Sequence, residues 1–132
     1  MARLDSFLRL VAEQKASDLH FHAGAPPIIR FDGDLLPLPF RTLSDAEARR
    51  FLEEILTTEQ KDLLWAQGQV DIMYSLPQVG RFRGSVFNQV EGWSAVFRVI
   101  PGSVPTLGEL GLPPSMEKFK RDLAGFVDAN SR

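Results

Sequence analysis

The apolar residues near the start of the chain recur at helical spacing. Leu4, Phe7, Leu8 and Val11 fall three or four positions apart, which places them on one face of an α-helix. The pattern fades around Lys15. It therefore predicts that a helix of about twelve residues opens the domain.

From residue 18 onward the spacing changes to short runs that are typical of β-strands. The runs 19–22, 28–31 and 35–38 are separated by turn residues, and Asp32-Gly33 between the last two is a strong hairpin signal. Pro37 and Pro39 cannot donate to a strand ladder. We therefore expect the third run to be short or to lie at an edge of the sheet.

Two capping boxes mark the helices that follow. Ser44 with Glu47 begins one helix, and Thr57 with Gln60 begins the next, because in each pair the two side chains satisfy backbone donors at the helix start. Gly68 ends the second of these helices. The buried face of the first is predicted to contain Ala48, Phe51, Leu52, Ile55 and Leu56.

Three longer strands complete the pattern, at about 70–75, 81–90 and 93–100. A turn at 77–80 joins the first two, and the Glu91-Gly92 dipeptide is predicted to join the last two. That turn would pair residue 90 with 93, 88 with 95 and 85 with 98. A connector rich in proline and glycine then leads to a last helix predicted at 115–127.

The order of these elements predicts an α+β fold. Helices and strands do not alternate as a parallel sheet requires, so we expect an antiparallel sheet of about six strands, flanked by helices on one face.

Composition narrows the function classes. The chain has 132 residues, 44% of them hydrophobic, and a formal net charge of −2, so one domain is expected and no overall charge attracts nucleic acid or anionic lipid. There is no cysteine, which excludes disulfides and thiolate chemistry and fits the cytoplasm. No apolar run is long enough to predict a membrane span or a signal peptide.

Sequence motifs for autonomous catalysis are absent. The chain contains no Gly-Lys dipeptide and hence no P-loop, no glycine fingerprint of a dinucleotide fold and no G-x-S-x-G nucleophile motif. We therefore expect no enzymatic activity and no cofactor from this chain alone.

Asp18, His20 and His22 share one face of the first predicted strand, because side chains alternate along a strand. This H-x-H spacing suits a metal ion. However, the chain has no third histidine and no cysteine to complete a coordination sphere. The structural alternative, which we favour, is that Asp18 and His20 form hydrogen bonds and that His22 lies at the surface.

Arginines gather on the last two strands. Arg81, Arg83 and Ser85 share one strand face, and the predicted register places Arg98 opposite Ser85 and diagonal to Arg83. Guanidinium groups this close repel one another unless an anion lies among them, and arginine suits bidentate contact with phosphate. The alternative is that they pair with carboxylates of the same domain or lie in water.

Several segments resemble one family. They are ASDLH at 16–20, GAPP at 24–27, Arg30 with DGD at 32–34, GRFR at 80–83, FNQ at 87–89, AVFRVIP at 95–101 and PTLGELGLP at 105–113. In order and spacing the chain is similar to the opening of the PilT-like retraction ATPases of type IV pili, which power twitching motility.

The resemblance implies a PAS-like N-terminal domain at 1–112, followed by a helix or linker at 113–132 that leads to a RecA-like ATPase domain. This family forms cytoplasmic homohexamers beside the inner membrane at the pilus base. The expected partners are the ATPase domains of the same and neighbouring subunits and the platform proteins of the pilus base, with no nucleic acid and no insertion into the membrane. ATP with Mg²⁺ is expected in the full-length protein.

The resemblance also gives the arginines a role. By motif position, Arg83 and Arg98 are expected to contact the nucleotide phosphates, with Arg81 as a further contact. Since the chain ends at Arg132, before the ATPase domain, we expect either a truncated protein or one part of a longer one, and the sequence does not distinguish them.

Two other hypotheses remain open at this point. The chain could be a stand-alone PAS-like sensor with a small-ligand pocket lined by Phe82, Phe87, Trp93 and Phe97. It could also be the equivalent domain of a pilus-assembly or secretion ATPase, although GRFR and FNQ favour retraction.

Overall fold

The computed structural model describes residues 2–101, so the connector and the predicted last helix lie outside the described residues. Three helices and six strands lie within that range. They are α1 (Leu4–Glu13), β1 (Asp18–His22), β2 (Ile28–Phe31), β3 (Asp34–Pro37), α2 (Asp45–Glu53), α3 (Thr58–Gln67), β4 (Gln69–Leu76), β5 (Gly80–Gln89) and β6 (Gly92–Val99).

The strands form one antiparallel sheet with the order β3-β2-β1-β6-β5-β4. The predicted α+β fold, with a six-stranded antiparallel sheet and flanking helices, is confirmed. The strand with the two prolines, β3, lies at an edge as expected. Asp32 and Gly33 form the β2–β3 turn with φ of 52° and 83°, a left-handed conformation that an Asp-Gly pair accommodates.

Both predicted capping boxes are present. The Ser44 hydroxyl accepts from the Glu47 amide and the Glu47 carboxylate accepts from the Ser44 amide, and the Thr57 and Gln60 pair does the same at α3. Gly68 ends α3 with φ of 79°. Helix α2 ends at Glu53, so two residues of its predicted apolar face lie in the connection to α3, where they are buried.

Side-chain alternation divides the sheet into two faces. On one face, residues such as Leu19, Ile29, Phe82, Val86 and Phe97 are buried under the three helices in a single hydrophobic cluster. The opposite face, which we call the open face, carries the intervening residues of each strand and is largely polar.

Candidate functional site

Arg83 and Arg98 lie directly opposite each other on the open face. They are paired in the β5–β6 ladder, and Arg98 keeps 73% of its side-chain surface exposed. Paired residues on neighbouring antiparallel strands have Cα atoms about 4.5–5.5 Å apart. The side chains of Arg83 and Arg98 therefore leave the backbone at adjacent positions on a solvent-exposed surface.

The predicted register of this hairpin is wrong. A turn at residues 91 and 92 would place Arg98 opposite Ser85, but the turn is Val90-Glu91 and Arg98 pairs with Arg83. The pairing moves by two residues, so every side chain keeps its predicted face. The arginines are therefore direct partners rather than diagonal ones.

The role of Gly92 explains why the observed β5–β6 turn differs from the predicted one. It has φ of +127°, and an added Cβ would collide with the Asp45 carboxylate and lie 3.1 Å from Ala23. The absence of a side chain at this position therefore allows the start of β6 to approach α2, and the residue does not belong to the turn.

Asp18 occupies the centre of the arginine cluster. Its carboxylate is only 7% exposed. Oδ1 accepts a hydrogen bond from Nε of Arg98 at 3.0 Å, and Oδ2 accepts from Nε of Arg30 at 3.2 Å and from the Ser17 hydroxyl at 3.2 Å. A buried carboxylate is tolerated when it is paired and hydrogen-bonded in this way.

Arg81 belongs to the same face but lies farther along β5. It pairs in the ladder with Ser75 of the edge strand, and its carbonyl accepts a hydrogen bond from the amide of Ile100 at 3.0 Å. The structure thus brings Arg83, Arg98 and Asp18 together and leaves Arg81 at the side of the cluster.

His20 and His22 are neighbours on the open face, with ring centroids 5.9 Å apart. Nε2 of His20 is buried and forms no hydrogen bond with the rest of residues 2–101. Burial lowers the pKa of His22, and the nearby His20 lowers it further. Within the described part of the chain, no three His, Cys, Asp or Glu side chains lie close enough to share a metal ion.

The aromatic residues proposed for a ligand pocket do not share one surface. Phe82, Trp93 and Phe97 are at most 2% exposed within the core, whereas Phe87 alternates onto the open face beside Ser85. A pocket of about 380 Å³ does lie between α3 and β4. Its lining is made of other residues, Leu63, Gln67, Gln69, Val70 and Asp71.

Arg30 is the residue that the sequence analysis did not place in the site. It lies on β2 opposite Asp18, and it also donates from Nη1 to the carbonyl of Gly33 at 3.3 Å. Its position between apolar neighbours in β2 indicates the open face. The strand order that brings it beside Asp18 has no local signal in the sequence.

The cluster carries a net positive charge. Arg30 and Arg98 pair with the buried Asp18 carboxylate, and Arg83 lies beside Arg98, so three guanidinium groups and one carboxylate give these four residues a net charge of about +2. Fold and site together define an α+β domain with an arginine-rich sheet face suited to an anionic partner.

Comparison with known proteins identifies the family. The chain is 38% identical over 118 residues to the type IV pilus retraction ATPase PilT of Pseudomonas aeruginosa, covering 89% of this chain and 33% of that protein. It is 32% identical over 122 residues to a twitching motility protein of Neisseria gonorrhoeae, covering 92% of this chain and 33% of that protein. No family model matches.

A solved structure agrees. The crystal structure of the pilus retraction motor PilT with bound ADP matches with a TM-score of 0.69 and 34% identity, covering 82% of this chain and 32% of that one. The predicted resemblance is thereby confirmed: the chain carries the N-terminal domain of the PilT family of ATPases. It spans about a third of the length of the relatives it matches.

Hydropathy adds one finding. No helix in residues 2–101 is long and apolar enough to cross a membrane.

Proposed function

We propose that this chain serves as the N-terminal domain of a hexameric type IV pilus retraction ATPase that drives twitching motility. In this function it supplies arginines to the nucleotide phosphates and a contact surface to the ATPase domains of its own and neighbouring subunits. The direct pairing of Arg83 with Arg98 on the open face carries the proposal. The printed functions of the relatives, and the ADP bound in the structural neighbour, support it.

The charges of the pair support an anionic ligand. Arg98 is partly neutralised by Asp18, whereas Arg83 forms no ion pair within residues 2–101. Adjacent guanidinium groups repel each other, and a phosphate group placed between them removes that repulsion while accepting charge-assisted hydrogen bonds. Phosphate binding is therefore more favourable here than at an isolated surface arginine.

Such contacts make the domain sensitive to the state of the nucleotide. Loss of the terminal phosphate on hydrolysis removes negative charge and acceptor oxygens from the arginines. An interaction that exists in only one nucleotide state shifts the equilibrium between two domain arrangements by its own free energy. A contact of about 1.4 kcal/mol changes that equilibrium about tenfold.

The remaining parts of the proposal concern the whole protein. A RecA-like ATPase domain would hold ATP and Mg²⁺, and the ring would work in the cytoplasm, at the inner-membrane face of the pilus base and beside its platform proteins. Support for these parts comes from the family to which the relatives belong.

The test requires a protein in which this domain is joined to the RecA-like ATPase domain that the proposal expects. We would measure the ATPase rate and ATP affinity of the hexamer for the wild type and for Arg83→Ala and Arg98→Ala. We expect each substitution to lower the rate about tenfold, equivalent to about 1.4 kcal/mol of transition-state stabilisation.

Arg9→Ala is the matched control. Arg9 is an exposed arginine of α1, on the opposite side of the sheet from the open face, so its loss changes the charge equally and should leave the rate unchanged. Unchanged kinetics for both open-face variants would remove the phosphate role. A reading frame without a Walker A lysine would overturn the motor assignment.

A further inference from the structure

One straight row of residues crosses all six strands of the open face. Each member is the ladder partner of the next, so neighbours are spaced by about 4.8 Å, the distance between strands. From one edge of the sheet to the other, the row is Leu35, Arg30, Asp18, Arg98, Arg83 and Met73.

Asp18 holds its two neighbours in the row by the same edge of each guanidinium group. It accepts from Nε of Arg98 at 3.0 Å and from Nε of Arg30 at 3.2 Å. Because the Nε edge of Arg98 is engaged, both of its terminal amino groups remain for other contacts, and they form no hydrogen bond within residues 2–101. Within residues 2–101, Arg98 is thus held through Nε, and its two terminal amino groups have no hydrogen-bond partner.

Arg30 differs from Arg98 in its contacts and exposure. Its Nη1 donates to the Gly33 carbonyl, and its side chain is 41% exposed against 73% for Arg98. It is thus fixed on both sides, toward Asp18 and toward the β2–β3 turn. Its charge lies next to the Asp18 carboxylate on the side away from Arg83.

We propose that Asp18 is a positioning residue that aims Arg98 at a phosphate group, and that Arg30 supplies the charge balancing Asp18. This inference rests on the proposed function, because it assumes that Arg98 and Arg83 bind phosphate. With Arg30 in place, Asp18 is shared between two arginines, and the three guanidinium groups of the row leave a net charge of about +2 for the ligand. Without Arg30, Asp18 would cancel the charge of the arginine that it orients.

Substitution of Asp18 by Ala separates positioning from charge, because it removes both the negative charge and the oxygen that accepts from Nε of Arg98. If Asp18 is only a negative charge near the site, its removal should strengthen phosphate binding, by about twofold for one charge about 8 Å away in water. If Asp18 orients Arg98, the same substitution should weaken binding despite the gain in positive charge, because a preorganised side chain loses less conformational entropy on binding.

The experiment titrates the 132-residue chain with inorganic tripolyphosphate. The dissociation constant is measured by calorimetry at about 0.05 M and about 0.3 M salt. We expect Asp18→Ala to weaken binding about fivefold at both salt concentrations, since orientation is not screened. Arg30→Gln should weaken it about threefold at low salt and less at high salt, because its effect is electrostatic.

A direct structural readout accompanies the titration. The Nε–H group of Arg98, hydrogen-bonded to a carboxylate, should give a slowly exchanging nuclear magnetic resonance signal in the wild type. In Asp18→Ala this signal should exchange rapidly while the backbone amide spectrum stays dispersed, which separates loss of orientation from loss of the fold.

The possible results distinguish the positioning role of Asp18 from the phosphate site itself. If Arg98→Ala weakens binding but Asp18→Ala strengthens it, Asp18 is a counter-charge and the positioning role is overturned while the proposed function stands. If the wild type does not bind tripolyphosphate, or if Arg83→Ala and Arg98→Ala bind as the wild type does, the phosphate site itself is overturned. Arg9→Ala should bind as the wild type in every case.

Discussion

Among residues 2–101, two aspartates are almost completely buried, Asp5 at 4% and Asp18 at 5% exposure, and they are stabilised by different chemistry. Asp18 forms ion pairs with Arg30 and Arg98. Asp5 accepts a hydrogen bond from the Tyr74 hydroxyl at 2.6 Å, a neutral donor that joins α1 to β4. Burial raises the pKa of Tyr74, and the Asp5 carboxylate raises it further, so the phenol remains a donor throughout the neutral range.

Loss of the Tyr74 hydroxyl should therefore lower the free energy of unfolding. In Tyr74→Phe the Asp5 carboxylate keeps its burial but loses this donor, and we expect the free energy of unfolding in urea to fall by about 1–3 kcal/mol. The double variant Asp5→Asn with Tyr74→Phe should be less destabilised than the two single effects added together. Strict additivity of the two substitutions would show that the pair does not act as a unit.

His22 should make stability depend on pH. Its pKa is lowered from 6.5 in the folded domain by burial and by His20, so the unfolded chain binds a proton more readily than the folded one. Stability is then unaffected by His22 above pH 6.5 and falls as the pH drops below that value.

The difference between wild type and His22→Gln isolates this effect from the titration of carboxylates. Melting temperatures measured from about pH 7.5 to about pH 5 should fall more steeply for the wild type. Parallel curves for the two proteins would mean that His22 titrates alike in both states.

The residue scale also marks the limit of prediction from sequence. Alternation along a strand was enough to place Arg81 and Arg83 on one face. The contact between Asp18 and Arg98 joins residues 80 positions apart, and it depends on β1 lying between β2 and β6. No local pattern determines that strand order, so the partners of Asp18 could not be assigned.

At the scale of elements, turns and caps with their own chemistry were predicted accurately. Asp32-Gly33 and the two capping boxes satisfy their backbone groups within a few residues, so their signals are complete in the sequence. The turn of the last hairpin was predicted one residue too late because of Gly92. A glycine occurs both in turns and where another element approaches the backbone closely, and the sequence does not distinguish the two. The reason for Gly92 lies in Asp45, a residue of α2 that only the folded structure brings near.

Gly92→Ala should consequently destabilise the domain through a clash as well as through backbone strain. Gly68→Ala is the matched control, since Gly68 also has a positive φ of +79° but an added Cβ there would have nothing within 4 Å. Strain alone should cost Gly68→Ala about 1–2 kcal/mol. Gly92→Ala should cost more, because its φ of +127° lies outside the left-handed region that Gly68 occupies and the added Cβ would lie 3.1 Å from Ala23. Equal losses in urea unfolding would contradict this expectation.

The start of α2 offers a second test at this scale. Ser44→Ala removes the side-chain acceptor for the Glu47 amide, and we expect a loss of about 1 kcal/mol in the free energy of unfolding. Thr42→Ala removes an exposed hydroxyl two positions before the cap and should change stability little. A similar effect of both substitutions would indicate that the capping box does not stabilise the helix.

On the scale of the whole molecule, the two faces of the sheet differ in composition: one is apolar and buried, and the other carries the arginines proposed to bind phosphate. The three helices cover one face with a single hydrophobic cluster, and the other face keeps the arginine row in solvent. Because the two sets of residues alternate along the same strands, the core fixes the spacing of the arginines. Substitutions on the open face can thus change ligand affinity without removing core contacts.

A single core also implies that helices and sheet unfold together. Phe7 of α1, Phe21 of β1 and Phe51 of α2 pack ring against ring at 5.4–6.2 Å, so neither layer keeps its buried surface when the other is lost. Small domains built in this way usually unfold in one cooperative step.

Tryptophan fluorescence and far-ultraviolet circular dichroism provide the test. Trp93 is 2% exposed in the core, whereas Trp65 on α3 is 53% exposed. Trp93 lies 5.7 Å from the Trp65 ring and 5.2 Å from the Arg49 guanidinium of α2. In Trp65→Phe, fluorescence therefore reports on the packing of Trp93 between sheet and helices, while dichroism at helical wavelengths reports on the helices themselves. We expect the two urea transitions of this variant to coincide. A fluorescence change that precedes the dichroism loss would mean that the helices separate from the sheet before they unfold, and that the domain does not unfold in one step.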